Sequence, residues 1–344
     1  MNDLKDIVKL LSEGNSLSEQ QAEQSFAHIM SGQVDLPQMS AFVMALRVRG
    51  ETVDEITGGA RALRNKASIV SVPDGAVDTC GTGGDGTGTY NISTAAAIVT
   101  AACGVPVAKH GNKSVSSKSG SADVLASLGI AFDLPLEAQE QALRELGIAF
   151  LFAPQHHKAM RHVAPVRASL GIRTIFNLLG PLANPAMAKR QLLGVFDRKW
   201  LRPMAEVLGR LGSDHVWTVH GSDGLDELTT TGITYVCELK DGKLREFEVS
   251  PEEVGLKRAT MKDLQGGEAD ENAAALLDVL TGKPSAYRDI VLLNTGAALL
   301  VGNKVDTLKD GVAMAAEAID SGKAKDLLSQ WAAFTQKHTV NKNE

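Results

Sequence analysis

Residues 78–94 read Asp-Thr-Cys-Gly-Thr-Gly-Gly-Asp-Gly-Thr-Gly-Thr-Tyr-Asn-Ile-Ser-Thr, and five of the eight residues from Gly81 to Gly88 are glycine. Glycine tolerates positive φ and lets a ligand approach the backbone, because it has no Cβ. Residues 76–80 predict a strand before the glycines, and the Ala-rich run 92–103 predicts a helix after them, which Gly104 ends. Free N–H groups and the dipole at a helix N-terminus favour an anion. The stretch therefore predicts a phosphate-binding loop between a strand and a helix.

Two common nucleotide-binding motifs fit this stretch less well. No Gly-Lys-Ser or Gly-Lys-Thr follows the glycines, which excludes a Walker-type phosphate loop. Gly81, Gly83 and Gly86 match the Gly-x-Gly-x-x-Gly pattern of dinucleotide-binding folds. That fold requires an acidic residue about twenty positions further on, and none is present there. An NAD-dependent oxidoreductase is therefore supported by the glycine pattern alone.

A second loop of similar character follows the next predicted strand, residues 105–108. Residues 109–121 read Lys-His-Gly-Asn-Lys-Ser-Val-Ser-Ser-Lys-Ser-Gly-Ser and contain three lysines and five serines, all of them hydrogen-bond donors. The helix that follows has Asp123 in its first turn. The 37 residues from Gly86 to Ala122 include no Asp or Glu, in a chain with 41 such residues among 344. The two loops together predict a positively charged phosphate site in an otherwise acidic protein.

Composition limits the class of protein. A length of 344 residues suggests roughly two domains, and 44% hydrophobic with 4% aromatic residues is typical of an aliphatic α/β enzyme. A net charge of −6 argues against a nucleic-acid or membrane-surface partner. The three cysteines, Cys80, Cys103 and Cys237, are far apart, which predicts a reduced, cytoplasmic protein without disulfides or zinc. Residues 1–14 read as an amphipathic helix and not as a signal peptide, and we expect no membrane span.

The order of predicted elements changes along the chain. Residues 1–68 predict four short helices, with two capping-box spacings and three terminating glycines. From residue 76 onward strands alternate with helices, which predicts a mostly parallel sheet with ligands at the carboxyl ends of its strands. Residues 215–220 predict a further strand, and residues 234–249 predict a hairpin. The fold class is therefore α/β with a small helical part in front.

Seven motifs, in order, resemble those of the anthranilate phosphoribosyltransferase family. They are Gly-Thr-Gly-Gly-Asp at 81–85, Asn-Ile-Ser-Thr at 91–94, Lys-His-Gly-Asn at 109–112, Ser-Ser-Lys-Ser-Gly-Ser-Ala-Asp at 116–123, Pro-Val-Arg at 165–167, the run 173–185 and the pair Asp226-Glu227. The resemblance covers nearly the whole chain. It implies transfer of the phosphoribosyl group of 5-phospho-α-D-ribose 1-diphosphate (PRPP) to the amine of anthranilate, in L-tryptophan biosynthesis. The products would be N-(5-phosphoribosyl)anthranilate and diphosphate.

The same resemblance implies a domain arrangement, a metal and an assembly. A helical domain of residues 1–70, completed by about 165–190, would pack beside an α/β domain of residues 71–164 and 191–344 that binds PRPP. This is the architecture of the nucleoside phosphorylase-like phosphoribosyltransferases, with the active site between the domains. The family also implies Mg²⁺, with two ions per subunit, and a homodimer formed through the helical domain.

The resemblance further implies three sets of site residues. The PRPP-binding set is Gly81, Gly84, Asp85, Thr89, Asn91, Ile92, Ser93, Thr94, Lys109, His110, Gly111, Asn112, Lys113, Ser114, Val115, Ser116, Ser117 and Ser121. The anthranilate-binding set is Gly81, His110, Asn112 and Arg167, and the metal-binding set is Ser93, Asp226 and Glu227. No catalytic nucleophile or general base is implied, because an aromatic amine is already neutral at pH 7.

Ordinary structural roles compete with these functional ones. The alternatives are a solvated acidic turn for Asp226-Glu227, surface positions for Lys113 and Lys118, a salt bridge for Arg167, and helix caps for Asn91, Ser93 or Thr94. For His156-His157, pocket lining or packing is favoured over metal binding, because neighbours in sequence rarely face one ion. The family often has proline where Lys158 stands, so the shape of that loop is open. Two rival functions also remain: a pyrimidine nucleoside phosphorylase, and a fold-related nucleic-acid-binding protein without catalysis.

Overall fold

A seven-stranded sheet forms the centre of the larger part of the molecule. The computed structural model describes residues 4–84, 86–113 and 118–339. The strands are β1 (Val77–Gly81), β2 (Val107–Gly111), β3 (Ile148–Phe152), β4 (Arg190–Gly194), β5 (His215–Gly221), β6 (Thr234–Lys240) and β7 (Lys243–Val249). They lie in the order β3-β2-β1-β4-β5-β6-β7. The first five strands in this order are parallel, and β6 and β7 form the predicted antiparallel hairpin at one edge.

Helices surround this sheet and form the N-terminal part. They are α1 (Leu4–Ser12), α2 (Glu19–Met30), α3 (Leu36–Arg49), α4 (Val53–Arg64), α5 (Ile92–Ala102), α6 (Ser121–Ser127), α7 (Leu136–Glu145), α8 (Ala153–His156), α9 (Ala164–Leu170), α10 (Ile175–Leu182), α11 (Leu201–Arg210), α12 (Ala269–Leu280), α13 (Ala286–Val301), α14 (Leu308–Asp320) and α15 (Lys323–His338). Short 3₁₀ helices cover Lys158–His162, Arg198–Trp200, Pro251–Val254 and Met261–Leu264. None of the helices in the described ranges is both long and apolar enough to cross a membrane.

The four predicted N-terminal helices are present and begin where the capping boxes predicted. Ser18 and Thr52 each accept the backbone N–H three residues on, which satisfies a donor that a helix start otherwise leaves unpaired. The core of this part brings in a later segment. Phe26 of α2 packs edge-to-face on Phe42 of α3 at 5.3 Å and on Phe176 of α10 at 5.7 Å. An N-terminal helical unit thus packs beside the α/β part, with α10 against it.

The predicted strand at 105–108 is displaced, which corrects the position of two site residues. The strand begins at Val107 and continues to Gly111, because its parallel pairing with β3 extends as far as Gly111 opposite Phe152. Lys109 and His110 therefore lie within β2 and are buried, instead of standing in the loop that follows.

The carboxyl ends of β1, β2 and β5 place three polar segments at one edge of the sheet. The glycine-rich loop follows β1, the Lys/Ser-rich segment follows β2, and the pair Asp226-Glu227 follows β5. The strand order reverses direction between β1 and β4, and open α/β sheets bind ligands at the carboxyl ends beside such a point. The fold therefore brings the predicted site segments together.

Candidate active site

A cleft of about 470 Å³ opens at this edge of the sheet. Most of the predicted PRPP-binding and metal-binding residues line it. These are Gly81, Gly84, Thr89, Asn91, Ile92, Ser93, Thr94, Lys109, His110, Gly111, Asn112, Ser121, Asp226 and Glu227. Asp85, Ser114, Val115, Ser116 and Ser117 lie outside the described residues. Lys113 is exposed, and neither it nor Arg167 lines the cleft.

Backbone N–H groups of the glycine loop and of helix α5 hold the two acidic residues. The N–H of Gly83 donates to Oδ2 of Asp226 over 2.7 Å, and the N–H of Ser93 donates to Oε1 of Glu227 over 3.1 Å. Burial and the neighbouring Asp226 raise the pKa of Glu227 to about 8, while the charge of Lys109 acts against this rise. Asp226-Glu227 is therefore a largely buried, tethered pair and not a solvated turn.

Two glycines make room for this pair. A Cβ on Gly81 would overlap the carboxylate of Asp226, and a Cβ on Gly194, the partner of Gly81 across β1 and β4, would overlap the backbone carbonyl of Asp226. Both positions need the missing side chain because the acidic loop passes directly over them. The sequence suggested that Gly81 lets the acceptor substrate approach, and the structure adds this second reason for glycine.

Residues that the sequence analysis did not select keep the acidic loop in place. Asp223 accepts hydrogen bonds from the N–H of Leu225 at 3.1 Å and from the hydroxyl of Thr229 at 2.6 Å. Asn294, in the buried helix α13, accepts from the N–H of Leu228 at 3.0 Å and donates to its carbonyl at 2.8 Å. An asparagine inside an apolar helix was the sequence signal for this support, since a buried amide needs partners.

Lys109 is the buried cation of the site. Its Nζ donates to the carbonyl of Thr79 at 2.5 Å and to Oγ of Ser93 at 3.2 Å. Burial lowers its pKa, and the nearby carboxyl of Asp78 opposes that change. Asp78 is itself fully buried and accepts the backbone N–H of His110 at 3.1 Å. The cation is thus held at the buried end of the cleft, between β1, β2 and the start of α5.

The donor set suits one class of metal. No group of three or more His, Cys, Asp or Glu side chains in the described ranges could hold an ion by itself. Mg²⁺ is commonly bound through one or two carboxylates, completed by water and substrate phosphate oxygens. A buried carboxylate pair in which Glu227 has a raised pKa gains from a nearby cation. Asp226, Glu227 and the hydroxyl of Ser93 therefore fit Mg²⁺ that binds together with a phosphorylated ligand.

Both histidines of the pair at 156–157 are buried, and neither lines the cleft. His156 lies between the carbonyl of Ser68 and Oε1 of Gln139, each at 3.0 Å. The ring of His157 packs edge-on against that of His110, with 5.2 Å between centroids. Burial lowers the pKa of His157 to about 4 and that of His110 well below its usual value. The rings of His157 and His110 are therefore neutral at pH 7.

Arg167 stands in the middle of α9 and is half-buried. No carboxylate of the described residues lies within 4.0 Å of its guanidinium. Arg167 therefore forms no salt bridge with that part of the chain. Burial lowers its pKa, because the guanidinium has lost part of its hydration. An arginine in such surroundings favours an anionic ligand.

Gln265 and Gly266 form a third wall of the cleft, which the sequence analysis did not predict. This segment pairs with the end of the glycine loop through an antiparallel bridge between Gln265 and Thr89. The N–H of Gly266 donates to the carbonyl of Gly88 at 2.9 Å, and the N–H of Tyr90 donates to the carbonyl of Leu264 at 3.1 Å. The adjacent glycines 266 and 267 just before a helix were the signal, because such pairs mark close backbone approach.

The expected side-chain cap of α5 is absent. Asn91 occupies the N-cap position, but its side chain makes no capping hydrogen bond. Ser93 instead accepts a hydrogen bond from Lys109. The prediction that Asn91 or Ser93 caps the helix with its side chain is wrong, because the side-chain oxygen of Asn91 accepts from Asn272 and that of Ser93 accepts from Lys109.

Both parts of the chain match family models. Residues 73–325 match the α/β domain of the glycosyl transferase family, and residues 5–67 match its helical bundle domain. The chain is 56% identical to the anthranilate phosphoribosyltransferase of Parvibaculum lavamentivorans, over 97% of this chain and 98% of that protein. It is 57% identical to the anthranilate phosphoribosyltransferase of Azospirillum brasilense, over 99% of this chain and 96% of that protein.

Solved structures give the same result. The anthranilate phosphoribosyltransferase of Thermus thermophilus superposes with a TM-score of 0.90 and 47% identity, covering 96% of this chain and 99% of that one. The Saccharomyces cerevisiae enzyme in complex with PRPP and Mg superposes with a TM-score of 0.89 and 29% identity, covering 97% of this chain and 98% of that one. The same yeast enzyme has been solved with 4-fluoroanthranilate, at a TM-score of 0.87 and 27% identity, covering 97% and 99% of the two chains. This chain belongs to the anthranilate phosphoribosyltransferase family.

Proposed function

We propose that this protein transfers the phosphoribosyl group of PRPP to the amine of anthranilate, releasing diphosphate, as a step of L-tryptophan biosynthesis. The observation that carries the proposal is the convergence of three segments on one cleft: the glycine loop after β1, the Lys109-containing strand β2 and the acidic pair after β5. A doubly phosphorylated sugar needs N–H donors, a cation and carboxylates for a metal within a few ångströms of each other. These three segments supply them.

The proposed PRPP site uses the described members of the predicted set together with Asp85 and residues 114–117. Backbone donors of the glycine loop and the N-terminus of α5 would bind phosphate oxygens, for which helix N-termini are suited. Lys109 would place positive charge near the departing diphosphate. Asp226, Glu227 and Ser93 would hold Mg²⁺, with two ions per subunit. When bound, Mg²⁺ neutralises charge that develops on the diphosphate.

The proposed acceptor site centres on Arg167. Its guanidinium would bind the carboxylate of anthranilate through two parallel hydrogen bonds. Gly81, His110 and Asn112 would form the rest of that site, and the neutral ring of His110 suits contact with an aromatic substrate. Held in this way, the neutral amine would attack C1′ directly, with inversion and without a general base. Catalysis would then come from positioning and from electrostatic stabilisation.

The domain division and the assembly are part of the same proposal. A helical domain of residues 1–70 completed by about 165–190 is supported by the packing of Phe176 on Phe26. A homodimer through this domain is supported by an apolar stripe on α3, where Pro37, Ala41 and Val48 are exposed on one face and Val48 is 80% exposed. Three free cysteines support a reducing, cytoplasmic location.

The direct test is the loss of anthranilate fluorescence when the protein is mixed with anthranilate, PRPP and Mg²⁺. We expect a loss that needs all four components, together with stoichiometric release of diphosphate. Unchanged fluorescence from folded protein would refute the function. Phosphate-dependent cleavage of a pyrimidine nucleoside, measured in parallel, would support the phosphorylase instead, and we expect none.

A further inference from the structure

Asn272 links the third wall of the cleft to the first phosphate loop. It lies in the first turns of α12, and only 2% of its surface is exposed. Its Oδ1 accepts the backbone N–H of Gly267 at 2.7 Å, and its Nδ2 donates to Oδ1 of Asn91 at 3.0 Å. Asn91 is 181 residues away in sequence and lines the cleft. One buried amide thus joins two walls of the site.

The direction of these bonds follows from their chemistry. A backbone N–H can only donate, so the side-chain atom of Asn272 that faces Gly267 must be its oxygen. The NH₂ group of Asn272 therefore faces Asn91, and the side-chain oxygen of Asn91 accepts a hydrogen bond from it. The amide of Asn91 consequently keeps its NH₂ group for the other side, where it lies 3.4 Å from the carbonyl of Ser119, a second cleft residue.

A purely local role does not account for Asn272. The start of α12 is already capped by its neighbours, since Oε2 of Glu271 accepts the N–H of Glu268 at 3.0 Å. The start of α5, in turn, takes no side-chain cap from Asn91. Asn272 therefore completes neither helix end, and its second hydrogen bond acts on a residue of the cleft.

We propose that Asn272 is a positioning residue for the phosphoribosyl substrate: it holds the amide of Asn91 so that its NH₂ group, and not its oxygen, faces the substrate phosphates. A donor there attracts a phosphate oxygen, whereas an amide oxygen repels it. The inference rests on the proposed function, because it takes PRPP as the ligand of the cleft. Asn272 itself lies behind the cleft wall and acts through Asn91.

The variant Asn272→Asp reverses the arrangement with almost no change in shape. At pH 8 the carboxylate still accepts from Gly267 but can only accept from Asn91 as well. Asn91 must then turn its NH₂ group toward residue 272 and its oxygen toward the ligand. A hydrogen bond to a charged group contributes roughly 1.5–3 kcal/mol, so we expect PRPP to bind about ten- to a hundredfold more weakly. The KM for anthranilate at saturating PRPP should stay unchanged.

A double-mutant cycle with Asn91→Ala separates this role from the alternatives. Affinity is measured by calorimetry with PRPP and Mg²⁺, and thermal unfolding is measured on the same samples. If Asn272 acts through Asn91, Asn272→Asp weakens binding strongly in the natural background and by less than about threefold in the Asn91→Ala background. Equal weakening in both backgrounds, as general charge repulsion would produce, overturns the proposal. Unchanged affinity of Asn272→Asp in the natural background overturns it as well.

A second variant covers a failure of Asn272→Asp to fold. Asn272→Leu keeps the branched shape of the side chain with a somewhat larger volume, carries no charge and frees the amide of Asn91 to rotate. We expect weaker PRPP binding that again depends on Asn91, and equal weakening with and without Asn91 counts against the role. The natural protein is titrated first. If the natural protein binds no PRPP, the proposed function is wrong. If it binds PRPP and the variants at residue 272 bind it with the same affinity, only the role of Asn272 is wrong.

Discussion

The backbone N–H of Gly83 donates a 2.7 Å hydrogen bond to Oδ2 of Asp226, which lies 143 residues further along the chain. The glycine loop and the acidic pair are therefore one unit, although each was recognised in the sequence for a separate reason. Glu227 is tied to Ser93 at the start of α5 in the same way. Any change that moves the loop should also move the proposed metal ligands.

The first prediction concerns Gly81→Ala. The added Cβ would overlap the carboxylate of Asp226, so the acidic pair must shift. We expect a weaker apparent affinity for Mg²⁺ and a fall in kcat of at least about tenfold, measured from initial rates over a Mg²⁺ series. Gly180→Ala is the matched control, because a Cβ there has nothing within 4 Å. Equal rates for Gly81→Ala and the control would show that this contact does not position the pair.

The second prediction concerns the acidic pair itself. Asp226→Asn combined with Glu227→Gln keeps the size of both side chains but removes the negative charge that we propose holds Mg²⁺. Turnover should be lost together with any dependence on Mg²⁺. The fold should survive, because the amide oxygens can still accept from Gly83 and Ser93. Full activity of a folded double variant would exclude the metal role.

The third prediction concerns Arg167. Truncation of a bidentate carboxylate partner typically costs about 2–5 kcal/mol, so Arg167→Ala should raise the KM for anthranilate by roughly thirtyfold or more. The KM for PRPP should change far less. Arg167→Lys retains the charge but cannot form two parallel hydrogen bonds to a carboxylate. Its KM for anthranilate should therefore lie between those of the natural protein and of Arg167→Ala. Similar increases in both KM values would remove Arg167 from the acceptor site.

The fourth prediction concerns stability in acid. The pKa of His157 is lowered from 6.5 to about 4 in the folded protein, so the unfolded chain binds more protons between these values. The contribution of the neutral ring is complete above pH 6.5 and is lost as the pH falls toward 4, by about 3 kcal/mol at most. Compared with the natural protein, His157→Gln should lose less stability between pH 7 and pH 4.5 in denaturant titrations.

The half-exposed His28 supplies the control for that measurement. His28→Gln removes a histidine without touching the buried cluster of His110 and His157. An identical loss of stability in the natural protein and in His157→Gln over this pH range would show that the neutral ring of His157 makes no such contribution.

Short-range patterns in the sequence predicted the main elements because local chemistry determines them. The capping boxes at Ser18 and Thr52 marked helix starts correctly, and the hairpin at 234–249 formed as predicted. The end of β2 was misjudged, since pairing with β3 carries the strand through Lys109 to Gly111. The Lys- and Ser-rich composition of residues 109–121 suggested a loop, but Lys109 can be buried because its Nζ donates hydrogen bonds to the carbonyl of Thr79 in β1 and to Oγ of Ser93.

The site was predictable only where it carried a recognisable motif. The glycine loop and Asp226-Glu227 were identified, whereas the supports supplied by Asn272 and Asn294 were missed. Each of these asparagines bonds to a segment more than 60 residues away, and no local pattern encodes such a contact. The partner of a buried amide becomes visible only after the chain has been folded.

The central claim is that this cleft binds PRPP together with Mg²⁺. Calorimetric titration of the folded protein with PRPP, with and without Mg²⁺, tests it most directly. We predict saturable binding of one PRPP per subunit that is strong with Mg²⁺ and is lost in the Asp226→Asn, Glu227→Gln variant. Absence of binding by the natural protein in the presence of Mg²⁺ would contradict the account.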